Sequence, residues 1–158
     1  MERLSLVLWR ERELLDMLQF KLEVEQLVLA SGRSRWLMRA ARDVEAVLET
    51  IRETEVLRAV AADEAAASIG MTSNPSLSAL ADAAGEPWST ILTEHRDAFI
   101  TVTREIMELA DANRDLISAG YRSARETLLS LGEPADGYSP DGSALVETTR
   151  HRLVDRSL

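Results

Sequence analysis

Residues 88–116 read WSTILTEHRDAFITVTREIMELADANRDL, and Trp88, Leu92, His95, Phe99, Val102, Ile106, Leu109, Asn113 and Leu116 follow one another at alternating steps of four and three. That spacing belongs to a helix with one continuous apolar seam. The steps from Leu109 to Asn113 and on to Ile117 are both four, a stutter that unwinds a supercoil locally. Asn113 stands at the stutter, where a polar seam residue sets register at some cost in stability. A second phase then runs through Ile117, Tyr121, Ala124, Leu128 and Leu131. Glu86-Pro87 opens this helix with Pro in the first turn, and the pattern predicts a single helix over about 87–131.

Upstream, residues 2–31 keep helical period, with Leu8, Leu15, Leu22 and Leu29 every seventh residue. Leu4 and Leu18 flank them on one side, and Val7, Leu14 and Val28 on the other. The stripe lapses at Glu11 and Glu25, which the pattern places at the solvated edge of the seam. Ser31-Gly32 stops the helix. A second helix over about 34–68 steps through Leu37, Ala41, Val44, Leu48 and Ile51, then drifts to Val56, Leu57, Val60 and Ala61. Its Ala-rich far end should pack thinly. Asn74 as cap and Pro75 as opener predict a short helix over about 76–84. From Gly132 onward Gly, Pro, Asp and Ser end all periodicity, leaving a mobile tail with a weak helix near 143–154. The expected fold is therefore all-α. It is an elongated antiparallel bundle of three long helices, with a short helix before the last one and a flexible C-terminal tail. The bundle takes residues 1–132 and the tail 133–158.

Composition narrows the function. The chain has 158 residues, a formal charge of −9 and no Cys. Zinc ribbons, Fe–S clusters and thiol nucleophiles are excluded, and a general nucleic-acid binder would carry the opposite charge. The apolar run Leu4–Trp9 is too short for a signal segment, and nothing approaches the roughly 20 apolar residues of a bilayer crossing. The reading is a soluble, cytoplasmic protein without membrane insertion. Leu92 stands three residues before His95 and Thr148 three before His151, so no Glu-x-x-His pair exists for a di-metal bundle. His95 reads as a core or rim imidazole. The sequence offers no nucleophile elbow and no phosphate cradle, so no enzyme, cofactor or metal is expected. Trp9, Trp36 and Trp88 read as core anchors or end plugs. Tyr138 lies among Gly137, Ser139, Pro140, Asp141 and Gly142, either by chance or as an anchor for another protein.

A bundle with a thin, stuttered end can open a groove for an amphipathic helix. Asn113, Leu116, Ile117, Tyr121, Ala124, Leu128 and Leu131 either line such a groove or complete the core.

Three features together resemble the FlgN family of flagellar type III export chaperones. They are the helix order with its Pro-Trp entry, the run Asn113-Arg114-Asp115-Leu116-Ile117, and the tail Tyr138-Ser139-Pro140-Asp141-Gly142. Where the family carries Asn-Gly, this chain has Asn113-Arg114. The resemblance implies a cytosolic escort whose clients are hook-associated (hook–filament junction) proteins, held by an amphipathic C-terminal helix. It also implies docking of the tail on the cytosolic domain of the large export-gate protein, with Tyr138, Asp141 and Gly142 as the matching positions. A helical adaptor or scaffold without a secretion role is the other reading.

Overall fold

The computed structural model describes residues 1–132, 137–138 and 144–145. Four α-helices carry the described part: α1 (Glu2–Ala30), α2 (Leu37–Ser68), α3 (Leu77–Ala83) and α4 (Trp88–Gly132), with a 3-10 turn at Ser34–Trp36 between α1 and α2. The expected all-α class holds. Two-residue strands β1 (Gly137–Tyr138) and β2 (Ala144–Leu145) pair antiparallel, Gly137 opposite Leu145 and Tyr138 opposite Ala144. Ala144 and Leu145 thus belong to a ladder, not to the helix expected near 143–154. The rest of the tail lies outside the described residues. Contacts along the chain gather into two units, Met1–Leu116 and Ile117–Leu158.

Both long-helix exits use glycine in the left-handed region, where a side chain would be strained. Gly32 has φ 66° and donates to the Leu29 carbonyl. Gly70 has φ 75° and donates to Ala67, while Met71 reaches back to Ala66, the double closure of a Schellman motif. Ser76, not Asn74, caps α3: its hydroxyl accepts from the Ala79 amide. Asn74 instead takes φ 58° in the preceding loop, and its amide donates to the Asp63 carboxylate.

The first unit holds two cores, and their membership gives the direction of each helix. In one, Leu4 and Leu8 of α1 meet Ala61, Ala65 and Ala66 of α2, Leu80 and Ala81 of α3, and Leu92 of α4. In the other, Leu14, Leu18 and Leu22 meet Val44, Val47 and Ile51, with Ile106 and Leu109 packed against them. So α2 runs back along α1, and α4 returns in the direction of α1.

Within the seams of α1 and α2 the sequence reading needs three further corrections. The Ala-rich end of α2 holds the most deeply buried residues of that helix, Ala61, Ala65 and Ala66. Small side chains let backbones approach, and α3 closes the layer over them. The α2 seam runs through Ala40, Val44, Val47, Ile51 and Thr54, so Ala41 and Leu48 are only half-buried, and Val56, Leu57 and Val60 face solvent. Glu11 is buried inside the α1 seam. Glu25, by contrast, is half-buried, at the edge where it was expected.

Candidate functional site

The seam of α4 is as regular in space as in sequence. Leu92, His95, Val102 and Asn113 are buried, while Trp88, Phe99, Ile106, Leu109 and Leu116 are half-buried. Burial ends at Leu116. Ile117, Tyr121, Leu128 and Leu131 are 49–78% exposed, and Ala124 is exposed as well. Of the residues read as a client groove, Asn113 therefore lies in the interior and Leu116 at its margin. The five from Ile117 to Leu131 form an apolar stripe open to water. Leu129, also exposed, adds to the apolar surface of the same segment and was missed because it falls off the four-and-three spacing.

Asn113 is 3% exposed and held from α1. Its Nδ2 donates to the Leu22 carbonyl at 2.9 Å and to Glu25 Oε2 at 3.1 Å, while Oδ1 has no partner. The lapse at Glu25 is thus the acceptor for the polar residue at the α4 stutter. The lapse at Glu11 has a parallel explanation. Arg58 Nε of α2 stands 3.3 Å from Glu11 Oε2, near enough for ion pairing although not aligned as a hydrogen bond. Burial pushes the Glu11 carboxyl above its ordinary value; Arg58 opposes the shift and Glu55 adds to it. Arg114, at the family's Gly position, pairs with Asp111 at 2.6 Å on the solvent side.

His95 is a core imidazole. The Trp9 ring meets it edge-on at 5.0 Å and the Phe99 ring stacks at 6.2 Å, and neither nitrogen has a hydrogen-bond partner. Burial holds its pKa below the ordinary value, Arg12 lowers it further, and Glu94 opposes them. Trp9 and Trp36 are not core anchors: both are about half exposed, each with an arginine over its ring, Arg12 and Arg35 respectively. A cleft of about 250 Å³ opens beside Leu4, Leu8, Arg58, Asp63, Asn74 and Leu77. Glu55, Arg58, Asp63, Asn74 and Ser76 supply its polar lining. Among the described residues no group of His, Asp and Glu could hold a metal ion, and no helix is long and apolar enough to cross a membrane. In the tail element, Tyr138 contributes backbone to β1. Its side chain, together with Asp141 and Gly142, lies outside the described residues.

The sequence model of the FlgN protein family matches residues 1–145 of the chain. The chain belongs to the FlgN family. The match takes in all four helices and runs through Tyr138, Asp141 and Gly142. Membership in FlgN supports a flagellar export chaperone role in general terms. No curated protein and no solved structure matches the chain.

Proposed function

We propose that this FlgN-family chain is a cytosolic, non-enzymatic escort of hook-associated proteins, and that it holds them through the apolar stripe of α4. The observation that carries the reading is the exposure of Ile117, Tyr121, Leu128 and Leu131 on one face of a helix. Left bare, that face costs solvation; covered by the apolar face of a client's C-terminal helix, it becomes a helix-on-helix interface. Asn113 and Leu116 serve the same end from inside, by fixing the register of α4 where the stripe begins. In this reading residues 1–132 are the chaperone body, and the tail presents Tyr138, Asp141 and Gly142 to the cytosolic domain of the large export-gate protein. The charge of −9 argues against a nucleic-acid partner.

The test is retention of a hook-associated protein, or of a peptide of its C-terminal helix, by the full chain. Leu128→Asp should weaken binding by about 2 kcal/mol, roughly 30-fold in Kd, at unchanged helicity. Equal retention by the wild type and this variant would remove the stripe from the mechanism. Tyr138→Ala should leave client binding and stability intact while lowering secretion. Loss of the client in that variant would make Tyr138 structural.

A further inference from the structure

The turn between α1 and α2 concentrates positive charge in a chain whose net charge is −9. Residues 31–42 hold Arg33, Arg35, Arg39 and Arg42 and no acidic residue. All four are exposed, and none of them has an acidic partner among the described residues. Arg35, Arg39 and Arg42 follow one another at steps of four and three, on the face opposite buried Ala40 and Val44. Met38, 66% exposed, lies among them. Trp36 is 45% exposed, with the Arg35 guanidinium 5.1 Å from its ring centre. Arg33 and Arg35 also line a shallow recess with Gly32 and Ser34.

Four guanidinium groups without acidic partners call for an anionic partner, and the apolar residues among them say which kind. A nucleic-acid strand needs a positive track several nucleotides long. This patch ends within three turns, because Glu45 and Glu49 make the same face of α2 acidic. A lipid surface needs only a point of contact: arginines for its phosphates, and a tryptophan and a methionine for the layer just beneath. The acidic remainder of α2 opposes such contact only weakly. Asp43 is paired with Lys21 at 3.1 Å, and Glu49 lies roughly 10 Å past Arg42 along the helix, about one Debye length at 0.1 M salt. We propose that the α1–α2 turn docks on an anionic lipid surface. The arginines sit at the level of the phosphates, Trp36 and Met38 dip among the headgroups, and no helix crosses the bilayer. The docking surface lies in the Met1–Leu116 unit and uses neither the α4 stripe nor a client.

Flotation of the full chain with vesicles tests it, at about 0.1 M salt. Vesicles of phosphatidylcholine with about 40% phosphatidylglycerol should carry the chain, vesicles of phosphatidylcholine alone should not, and about 0.5 M salt should release it. Arg39→Ala with Arg42→Ala should lower partitioning about 20–30-fold at unchanged helicity, both side chains being exposed. Tryptophan emission should shift to the blue on the anionic vesicles, and Trp36→Phe should remove that shift. Equal binding to the two kinds of vesicle overturns the proposal, as does undiminished binding of the double arginine variant or a blue shift that survives Trp36→Phe. Binding lost in Leu128→Asp would move the contact to α4 and overturn it too. A chain held more tightly by polyuridylate or by polyglutamate than by the anionic vesicles reads charge alone, and the lipid assignment fails.

Discussion

Glu11 and Glu25 interrupt an otherwise apolar seam, and each answers a polar residue on a neighbouring helix, Arg58 and Asn113 respectively. Desolvation outweighs the attraction of Arg58 at Glu11, as the upward shift of its carboxyl shows. Replacing the pair together, Glu11→Leu with Arg58→Leu, should therefore raise unfolding stability by about 1–2 kcal/mol, read as a higher urea midpoint at unchanged slope. A fall would mean that the ion pair holds α1 on α2 more firmly than apolar packing does. His95 gives a prediction in pH. Its folded pKa lies below 6.5 while the unfolded chain titrates near 6.5, so below that pH the unfolded state binds the extra proton. Stability contributed by the neutral ring is complete above about pH 7 and is lost as pH falls toward the folded pKa. Glu11 acts in the opposite sense, its raised pKa adding stability as pH falls toward 4.5. His95→Phe should abolish the drop in urea midpoint between about pH 7.5 and about pH 5.5. An unchanged drop in that variant would place the titrating group elsewhere.

At the scale of elements, α2 divides into an end that tolerates nothing larger and a strip that tolerates almost anything. Ala66 is wholly enclosed among Leu4, Leu8, Leu80 and Leu92. Ala66→Leu should cost about 1–3 kcal/mol by overpacking, whereas Leu57→Ala, four residues before buried Ala61 but itself exposed, should stay within about 0.5 kcal/mol. Thermal melts of the two variants check the contrast. The same division shows what could be read from the sequence. The α4 seam was legible because its large side chains recur at steps of four and three over many turns. The far end of α2 was misread because alanine carries almost no hydrophobic signal. Its burial depends on Leu80 of a seven-residue helix that brings its own cover. The end of burial at Leu116 was not written in α4 either, whose apolar spacing continues past it through Ile117 and Tyr121.

For the whole molecule, the decisive quantity is a charge of −9 carried with seven ion pairs among the described residues, most of them well exposed. Exposed pairs contribute little, so net self-repulsion is the larger electrostatic effect. Raising salt from about 20 mM to about 500 mM should then lift Tm by about 2–4 °C. A lower Tm in salt would show that the surface pairs outweigh the repulsion. Neither the helical class nor the family assignment depends on that balance: the class rests on the spacing of apolar residues along the helices, and the family on the sequence-model match over residues 1–145.

The indole of Trp9 set edge-on against His95 at 5.0 Å has an optical consequence. An imidazolium that close draws electron density from an excited indole and darkens its emission, while the neutral ring does so far less. Fluorescence from this one tryptophan is therefore a built-in gauge of the protonation of a side chain otherwise hidden from solvent. With Trp36 and Trp88 replaced by phenylalanine, it can be read without any added label.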